Sequence, residues 1–228
     1  MANVRLLHQA IVRAGGPANL VSAVAEPTIE SAQELMTHRG VRILAVTGGA
    51  GVVRQAMTSG KRAICAGPGN PPVVVDTTAD LELAGRSIVA GASFDNNIVC
   101  TDEKEVIAVE SIAEELLSQM GRHGAYLLNE DELRRVERVI FSEQRGPRQR
   151  SVVNKDLIGK NASEILARAG ISSPGDPALA VARVPNEHPL VWTEQMMPVM
   201  PVTSVPDVDQ AIELAKEAEH GYGHSAGM

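Results

Sequence analysis

The sequence predicts an α/β fold built on parallel sheet, and three observations carry that reading. Short, continuously apolar runs recur: VRILAV (41–46), RAIC (62–65), PVVVD (72–76) and EVIAV (105–109). Segments of helical periodicity separate them, as in strand–helix–strand units joined by helices of about 10–15 residues. Apolar residues make up 44% of the 228 and charged residues 21%, which suits a packed globular chain and excludes disorder.

The elements follow in order. In the opening stretch MANVRLLHQAIVRAG, Val4, Leu7, Ile11 and Ala14 fall at helical spacing. That stretch therefore reads as a helix running into globular sequence rather than as a leader. LVSAV (20–24) is a short apolar run after Gly15, Gly16 and Pro17, and a helix over 28–38 follows Pro27 with Thr28 as its cap. VRILAV reads as a strand buried on both faces. TGGAG then opens a helix, VVRQAMTS, which Gly60 closes. RAIC and PVVVD bracket the loop AGPGNP, and a long helix over 78–93 ends near Phe94. Beyond EVIAV, Ser111 and Glu114 have the spacing of a capping box before a helix through Met120. Asn129 and Glu132 repeat that signal before a helix through Phe141. SEQRGPRQRSVVN (142–154) reads as a polar, basic surface connection. A short helix over 162–169 stops at Gly170, ALAVARV (178–184) is a strand, and a proline-rich stretch runs to Pro206 before a last helix over 207–218. Sheets of this class hold ligands beyond the carboxyl ends of their strands. The chain starts inside a helix pattern and stops at GHSAGM, where a further strand is expected, so the expectation is a fragment lacking both ends.

Charge and composition narrow the partners. A net charge of −7 argues against nucleic acid and anionic membranes. Only Phe94, Tyr126, Phe141, Trp192 and Tyr222 could stack on bases, so a single-strand nucleic-acid surface is a poor reading. No apolar run approaches the roughly 20 residues needed to cross a bilayer. Two cysteines are too few for a disulfide framework or a structural zinc site, and reduced, cytosolic thiols are the default.

Cys100, in GASFDNNIVCTDEKEV, is the strongest candidate for chemistry. A nucleophilic cysteine needs an accessible, polar setting, and the connection after Asn96 and Asn97 offers one. A small buried residue at a strand start fits the spacing equally well. Cys65 reads as an inert buried thiol. TGGAGVVR (47–54) has the order strand, glycine turn, helix, which suits either a phosphate-binding loop or a plain tight turn. His220 and His224 are four apart, but the glycines between them break the helix that would align them for a metal, so no metal site is expected. Arg145, Arg148 and Arg150 read as a solvated surface turn.

Taken together, AEPTIESAQELM, VTGGAGVVRQAM, AGPGNPPVVVD, GASFDNNIVC, NKDLIGKNASEI and EQMMPVMPV resemble the aldehyde dehydrogenase superfamily. The likeness is narrower still to its coenzyme-A-acylating branch, the acetaldehyde and propionaldehyde dehydrogenases of ethanolamine and propanediol utilisation. The resemblance implies an aldehyde dehydrogenase-like α/β fold: a partial Rossmann-type, dinucleotide-binding portion over 1–76 and an α/β catalytic domain over 77–228. It implies Cys100 as the nucleophile, and Thr47, Gly48, Gly49, Gly51, Gly67 and Glu194 as cofactor-binding residues. The implied cofactor is NAD, with coenzyme A as co-substrate and a short aldehyde as substrate. The intact enzyme would be a cytoplasmic homo-oligomer, in a bacterial microcompartment where the branch is so housed.

Two departures matter. Val53 stands where hydrolytic relatives usually have glycine. Ala66 stands where the ELGG loop of hydrolytic relatives carries the glutamate that activates water. General-base help is worth about 100- to 10,000-fold, and a thiol needs less of it than water does. The loss therefore favours thiolysis. The rival readings are a hydrolytic enzyme yielding a free acid, and a noncatalytic remnant that binds nucleotide or docks on longer subunits. The family's oxyanion-holding asparagine lies in the absent amino-terminal portion, so the isolated chain is expected to turn over poorly.

Overall fold

The structure is a computed structural model that describes residues 2–228. The chain divides into two compact units, the first through Gly67 and the second Pro68–Met228.

The first unit opens with helix α1 (Ala2–Arg13), none of whose residues is buried. Helix α2 (Ile29–Thr37) begins at a reciprocal cap: the Thr28 hydroxyl accepts from the Ser31 amide, and the Ser31 hydroxyl accepts from the Thr28 amide. Strand β1 (Ile43–Thr47), helix α3 (Ala50–Thr58) and strand β2 (Arg62–Ala66) form one parallel unit in the register Ile43↔Arg62 to Thr47↔Ala66. Its small core gathers Met36, Leu44 and Ala56, with Val46, Val52 and Cys65 packed alongside. Two expectations change here. β1 is not buried on both faces: Leu44 is buried, while Ile43 is 52% exposed. A two-stranded sheet with one covered face buries only alternate residues. The short apolar run at 20–24 forms no strand.

The second unit is built on five parallel strands. In chain order the first elements are β3 (Pro72–Val75), helix α4 (Leu81–Ala92), β4 (Glu105–Val109), helix α5 (Ala113–Arg122), β5 (Ala125–Leu127) and helix α6 (Glu130–Ile140). A ribbon of β6 (Phe141–Glu143) and β7 (Val152–Val153) follows, then helix α7 (Ala162–Arg168), β8 (Leu179–Arg183), β9 (Val199–Val205) and helix α8 (Val208–Ala218). The sheet order is β3-β4-β9-β8-β5. One face packs on α4 and α5 through Val106, Ala108, Leu116, Met120 and Val202. The other meets α8 through Val74, Ile107, Ala211 and Leu214, and a third cluster from α6 and α7 closes around Ala180 and Val199. β4 is thus buried along its whole length, as its apolar run Val106–Val109 requires, and Glu105 at its start is buried with it.

α4 and α5 approach closely because Gly85 has no side chain. A Cβ there would lie 2.7 Å from Gln119 Cβ and 3.0 Å from the Met120 backbone nitrogen. Gly85→Ala is expected to destabilise the unit by about 1–3 kcal/mol, as overpacking does, despite alanine's better helix propensity. Denaturant unfolding followed by circular dichroism checks it, and a gain in stability would contradict the close packing.

Four sequence expectations meet differences. The proline-rich stretch before Pro206 contains β9, the central strand. Pro201 is tolerated there because the even-numbered residues of β9 bond to β8, as in Ala180 N–H to Pro198 O and Val184 N–H to Val202 O. The missing donor of Pro201 therefore falls on the β4 side, one residue before that ladder opens at Val106↔Val202. The Ser111–Glu114 box does not form: a 3₁₀ turn over Glu110–Ile112 leads into α5, whose cap makes no side-chain bond. The Asn129–Glu132 box does form. The 142–154 connection is partly ordered by β6 and β7. Finally, β3 pairs with β4, so the change of unit falls at Gly67–Pro68, one strand ahead of residue 76.

Candidate active site

Cys100 sits at the amino end of β4, between α4 and the strand. In this sheet the thiol is therefore at the edge opposite to the carboxyl ends, where the fold class led one to expect a ligand. The loop geometry explains why.

Asp80 caps α4, and after the helix ends the chain turns through three consecutive left-handed residues: Asp95 (φ 44°), Asn96 (φ 55°) and Asn97 (φ 63°). Asp and Asn tolerate this region better than other side chains, yet three in a row persist only when their surroundings fix them. Asn96 Nδ2 donates to Gly159 O and Asn161 Oδ1, both at 2.9 Å. Asn97 Nδ2 donates to Ala92 O (2.8 Å) and Glu103 O (2.9 Å). Lys104 is fully buried, and its Nζ donates to Asn97 O (2.8 Å), Asn97 Oδ1 (2.7 Å) and Val99 O (3.1 Å). The Val99 amide donates to Asp102 Oδ2. Residues 97–104 thus close on themselves, with the half-buried Cys100 at the turn.

A second loop meets this one. A Cβ at Gly69 would lie 3.1 Å from the Cys100 carbonyl oxygen and 3.2 Å from His224 Cγ, so only glycine allows the approach. The next residue, Asn70, is buried and pins the loop: its Nδ2 lies within 3.1 Å of Glu105 Oε1, Val191 O and Ala218 O. His224 Nδ1 lies 2.9 Å from Ser225 Oγ. Glu194 is half-buried, with Arg150 Nη2 at 3.5 Å. Burial raises its carboxyl above the usual range, opposed by the Lys104 and Arg150 charges. Burial also lowers Lys104, against the pull of Asp102 and Glu194.

Glu105 is the extreme case. It is wholly buried, its Oε2 has no partner, and desolvation pushes its carboxyl well above the usual 4.5. The stability it confers is complete below about pH 4.5, where the unfolded chain is also protonated, and is lost as the pH climbs toward the folded pKa. Glu105→Gln is neutral throughout. It is expected to melt with wild type near pH 4.5 and above it at pH 7–8, by about 2–4 °C per kcal/mol recovered. A melting series from pH 4.5 to 8.5 checks this, and parallel curves would contradict it.

In the first unit, Thr47 ends β1, Gly48 donates its amide to Ala66 O, and Gly49 caps α3 with no side-chain bond. A Cβ at Gly49, Gly51 or Gly67 would meet nothing within 4 Å, so the backbone at the start of α3 is open to an approaching group. Among the described residues no group of three or more His, Cys, Asp or Glu is arranged to hold a metal, and no helix is long and apolar enough to cross a membrane.

The sequence pattern of the aldehyde dehydrogenase family matches residues 2–228. The chain belongs to that family. This aldehyde dehydrogenase chain is 46% identical over 228 residues to the acetylating acetaldehyde dehydrogenase EutE of Salmonella typhimurium, covering 99% of this chain and 48% of that one. It is 44% identical over 226 residues to a CoA-propanoylating propanal dehydrogenase of the same organism, covering 99% and 47%. A propionaldehyde dehydrogenase from the Clostridium phytofermentans fucose utilisation bacterial microcompartment superposes with a TM-score of 0.91 at 38% identity, over 98% of this chain and 50% of that chain. The Rhodopseudomonas palustris propionaldehyde dehydrogenase with bound propionyl-CoA does so at 0.91 and 41%, over 97% and 48%. The aldehyde dehydrogenase chain therefore spans about half the length of the curated relatives it matches.

Several residues escaped the sequence reading. Lys104, Asn70 and Glu105 form the buried support of the thiol loop. For Lys104 and Glu105 the signal was the run TDEKE leading straight into the apolar residues 106–109, since charges there are buried; nothing comparable marked Asn70. His224 is no solvated loop residue: it packs against Gly69. His220 Nε2 lies 2.9 Å from Trp192 O. Nor is the basic run simply solvated. Arg148 pairs with Glu187 and Glu217 and stacks 5.3 Å over Trp192, and Arg150 reaches Glu194 and Tyr222.

Proposed function

We propose that this chain carries the nucleophile and part of the cofactor site of a coenzyme-A-acylating aldehyde dehydrogenase, which converts a short aldehyde, coenzyme A and NAD to acyl-CoA and NADH. The observation that carries the reading is the setting of Cys100: a half-buried cysteine on a turn fixed by Lys104, whose backbone carbonyl approaches Gly69, the glycine that His224 also approaches. The names of the relatives, acetylating and CoA-propanoylating, support the same chemistry.

The residues fit a dinucleotide. Open space around Gly49 and Gly51 at the start of α3, and around Gly67 after β2, suits a pyrophosphate at a helix amino terminus. Thr47, Gly48, Gly49, Gly51 and Gly67 would hold that part, and Glu194 the nicotinamide-side ribose. Bound there, the nicotinamide supplies an acceptor for hydride. The Cys100 thiolate forms a carbon–sulfur bond to the aldehyde, and after oxidation the acyl group is left on sulfur as a thioester. The thiol of coenzyme A gives its proton to a base, a role we assign to the His224 imidazole, and its sulfur attacks the thioester carbonyl. The bond to Cys100 breaks, acyl-CoA leaves and the thiolate is restored. Ala66 offers no carboxylate to activate water, so the thiol wins. The intact enzyme would be a cytoplasmic homo-oligomer, and the microcompartment origin of one structural relative supports housing in such a compartment.

The last step runs backward without nicotinamide, which gives the test. Propionyl-CoA added to the chain is expected to leave one propionyl group on the Cys100 peptide, read by mass spectrometry, with free coenzyme A released. No acylation, or equal acylation of Cys65, would overturn the proposal.

A further inference from the structure

We propose that Lys104 is a positioning residue for acyl transfer at Cys100: by drawing the Val99 carbonyl inward, its ammonium aims the Cys100 amide N–H at the oxygen that becomes anionic when the thiolate adds to a carbonyl. The inference rests on Cys100 being the nucleophile and adds to it the group that orients the peptide in front of the sulfur.

Lys104 Nζ touches three oxygen acceptors at 2.7–3.1 Å, which takes three N–H donors and so an ammonium ion. Removing that ion from water costs several kcal/mol, and apolar residues of similar volume would fill such a space at less cost. Its bonds do not tie distant elements together. All three fall on Asn97 and Val99, within the loop that carries the thiol.

Peptide geometry does the rest. No described peptide bond is cis. A planar trans unit places its N–H opposite its C=O, so fixing the Val99 oxygen on the ammonium turns the Cys100 N–H away from it. That N–H donates to no protein acceptor among the described residues. It is a free donor, held by its own peptide plane, on the nucleophilic residue itself. Donors already aimed where negative charge develops are worth about 100- to 1,000-fold in rate. Asn97 completes the device, giving two of the three ammonium acceptors while its left-handed backbone turns the chain toward Val99.

Two reactions of the same sulfur separate orientation from general damage. Iodoacetamide alkylates Cys100 by displacing iodide from a saturated carbon, and no oxyanion forms. p-Nitrophenyl acetate acetylates it: a carbon–sulfur bond forms, the carbonyl oxygen passes through an anion, and the carbon–oxygen bond breaks to release nitrophenolate. Both rates are read on the Cys100 peptide by mass spectrometry, with Cys65 as internal reference. In Lys104→Met the ratio of acetylation to alkylation is expected to fall about 10- to 100-fold, part of the full value of a donor. A purely structural role lowers both rates together, and an unchanged ratio overturns the proposal. Should Lys104→Met fail to fold, Asn97→Gly decides: glycine keeps the left-handed backbone and removes the Oδ1 acceptor. A ratio lowered severalfold supports the proposal, and an unchanged one overturns it. Wild-type Cys100 that is not acetylated ahead of Cys65 overturns both this inference and the reading of Cys100, whereas unchanged ratios with reactive wild type overturn this inference alone.

Discussion

Replacing Cys100 by alanine is expected to remove acyl capture from propionyl-CoA completely, leaving only the slow labelling of Cys65. The covalent route needs a sulfur at this turn. No other thiol lies in the second unit, since the one remaining cysteine is in β2 of the first. The substitution removes one partly exposed atom, so stability should change by less than about 1 kcal/mol. Unfolding curves that overlay wild type, with no acyl group beyond the slow labelling of Cys65, would separate chemistry from folding. Retained acylation of the chain would end the nucleophile assignment.

The second large effect concerns what releases the acyl group. Ala66 is exposed at the end of β2, so Ala66→Glu introduces a carboxylate without disturbing packing. If this position governs the choice of acceptor, the variant's acyl-Cys100 should hydrolyse about 100-fold faster in the absence of coenzyme A, toward the lower end of what a general base contributes. The half-life of the isolated acyl-protein in buffer is the measurement. An unchanged half-life would mean that losing the glutamate is not what makes this branch prefer a thiol, and the cause would have to be sought at another residue.

How far the sequence alone reaches can be traced residue by residue. Periodicity located α4, α6 and α8, because each has one apolar face and a side-chain cap in Asp80, Asn129 and Asp207. It missed β9 because Pro201 is a correct local argument against a central strand, and only the point where the ladder to β4 opens excuses it. It overstated the burial of β1 because an apolar run does not reveal whether both faces have partners. At the site, the motif around Cys100 was legible. The support beneath it was not, because Lys104, Asn70 and Glu105 are polar residues whose burial depends on elements 35 to 148 positions away. Side-chain type predicts exposure for such residues, and tertiary structure reverses it.

The order of the strands has a consequence for biosynthesis. β9 is the last strand made, yet it lies in the middle of the sheet, between β4 and β8. Until it emerges, the nascent polypeptide can form only two half-sheets, β3 with β4 and β5 with β8, each presenting a bare inner edge. At about 5–20 residues per second, the ribosome needs roughly 5–20 s to travel from β4 to β9. For that interval β4 has an unsatisfied side, a ready edge for pairing with a neighbouring nascent chain.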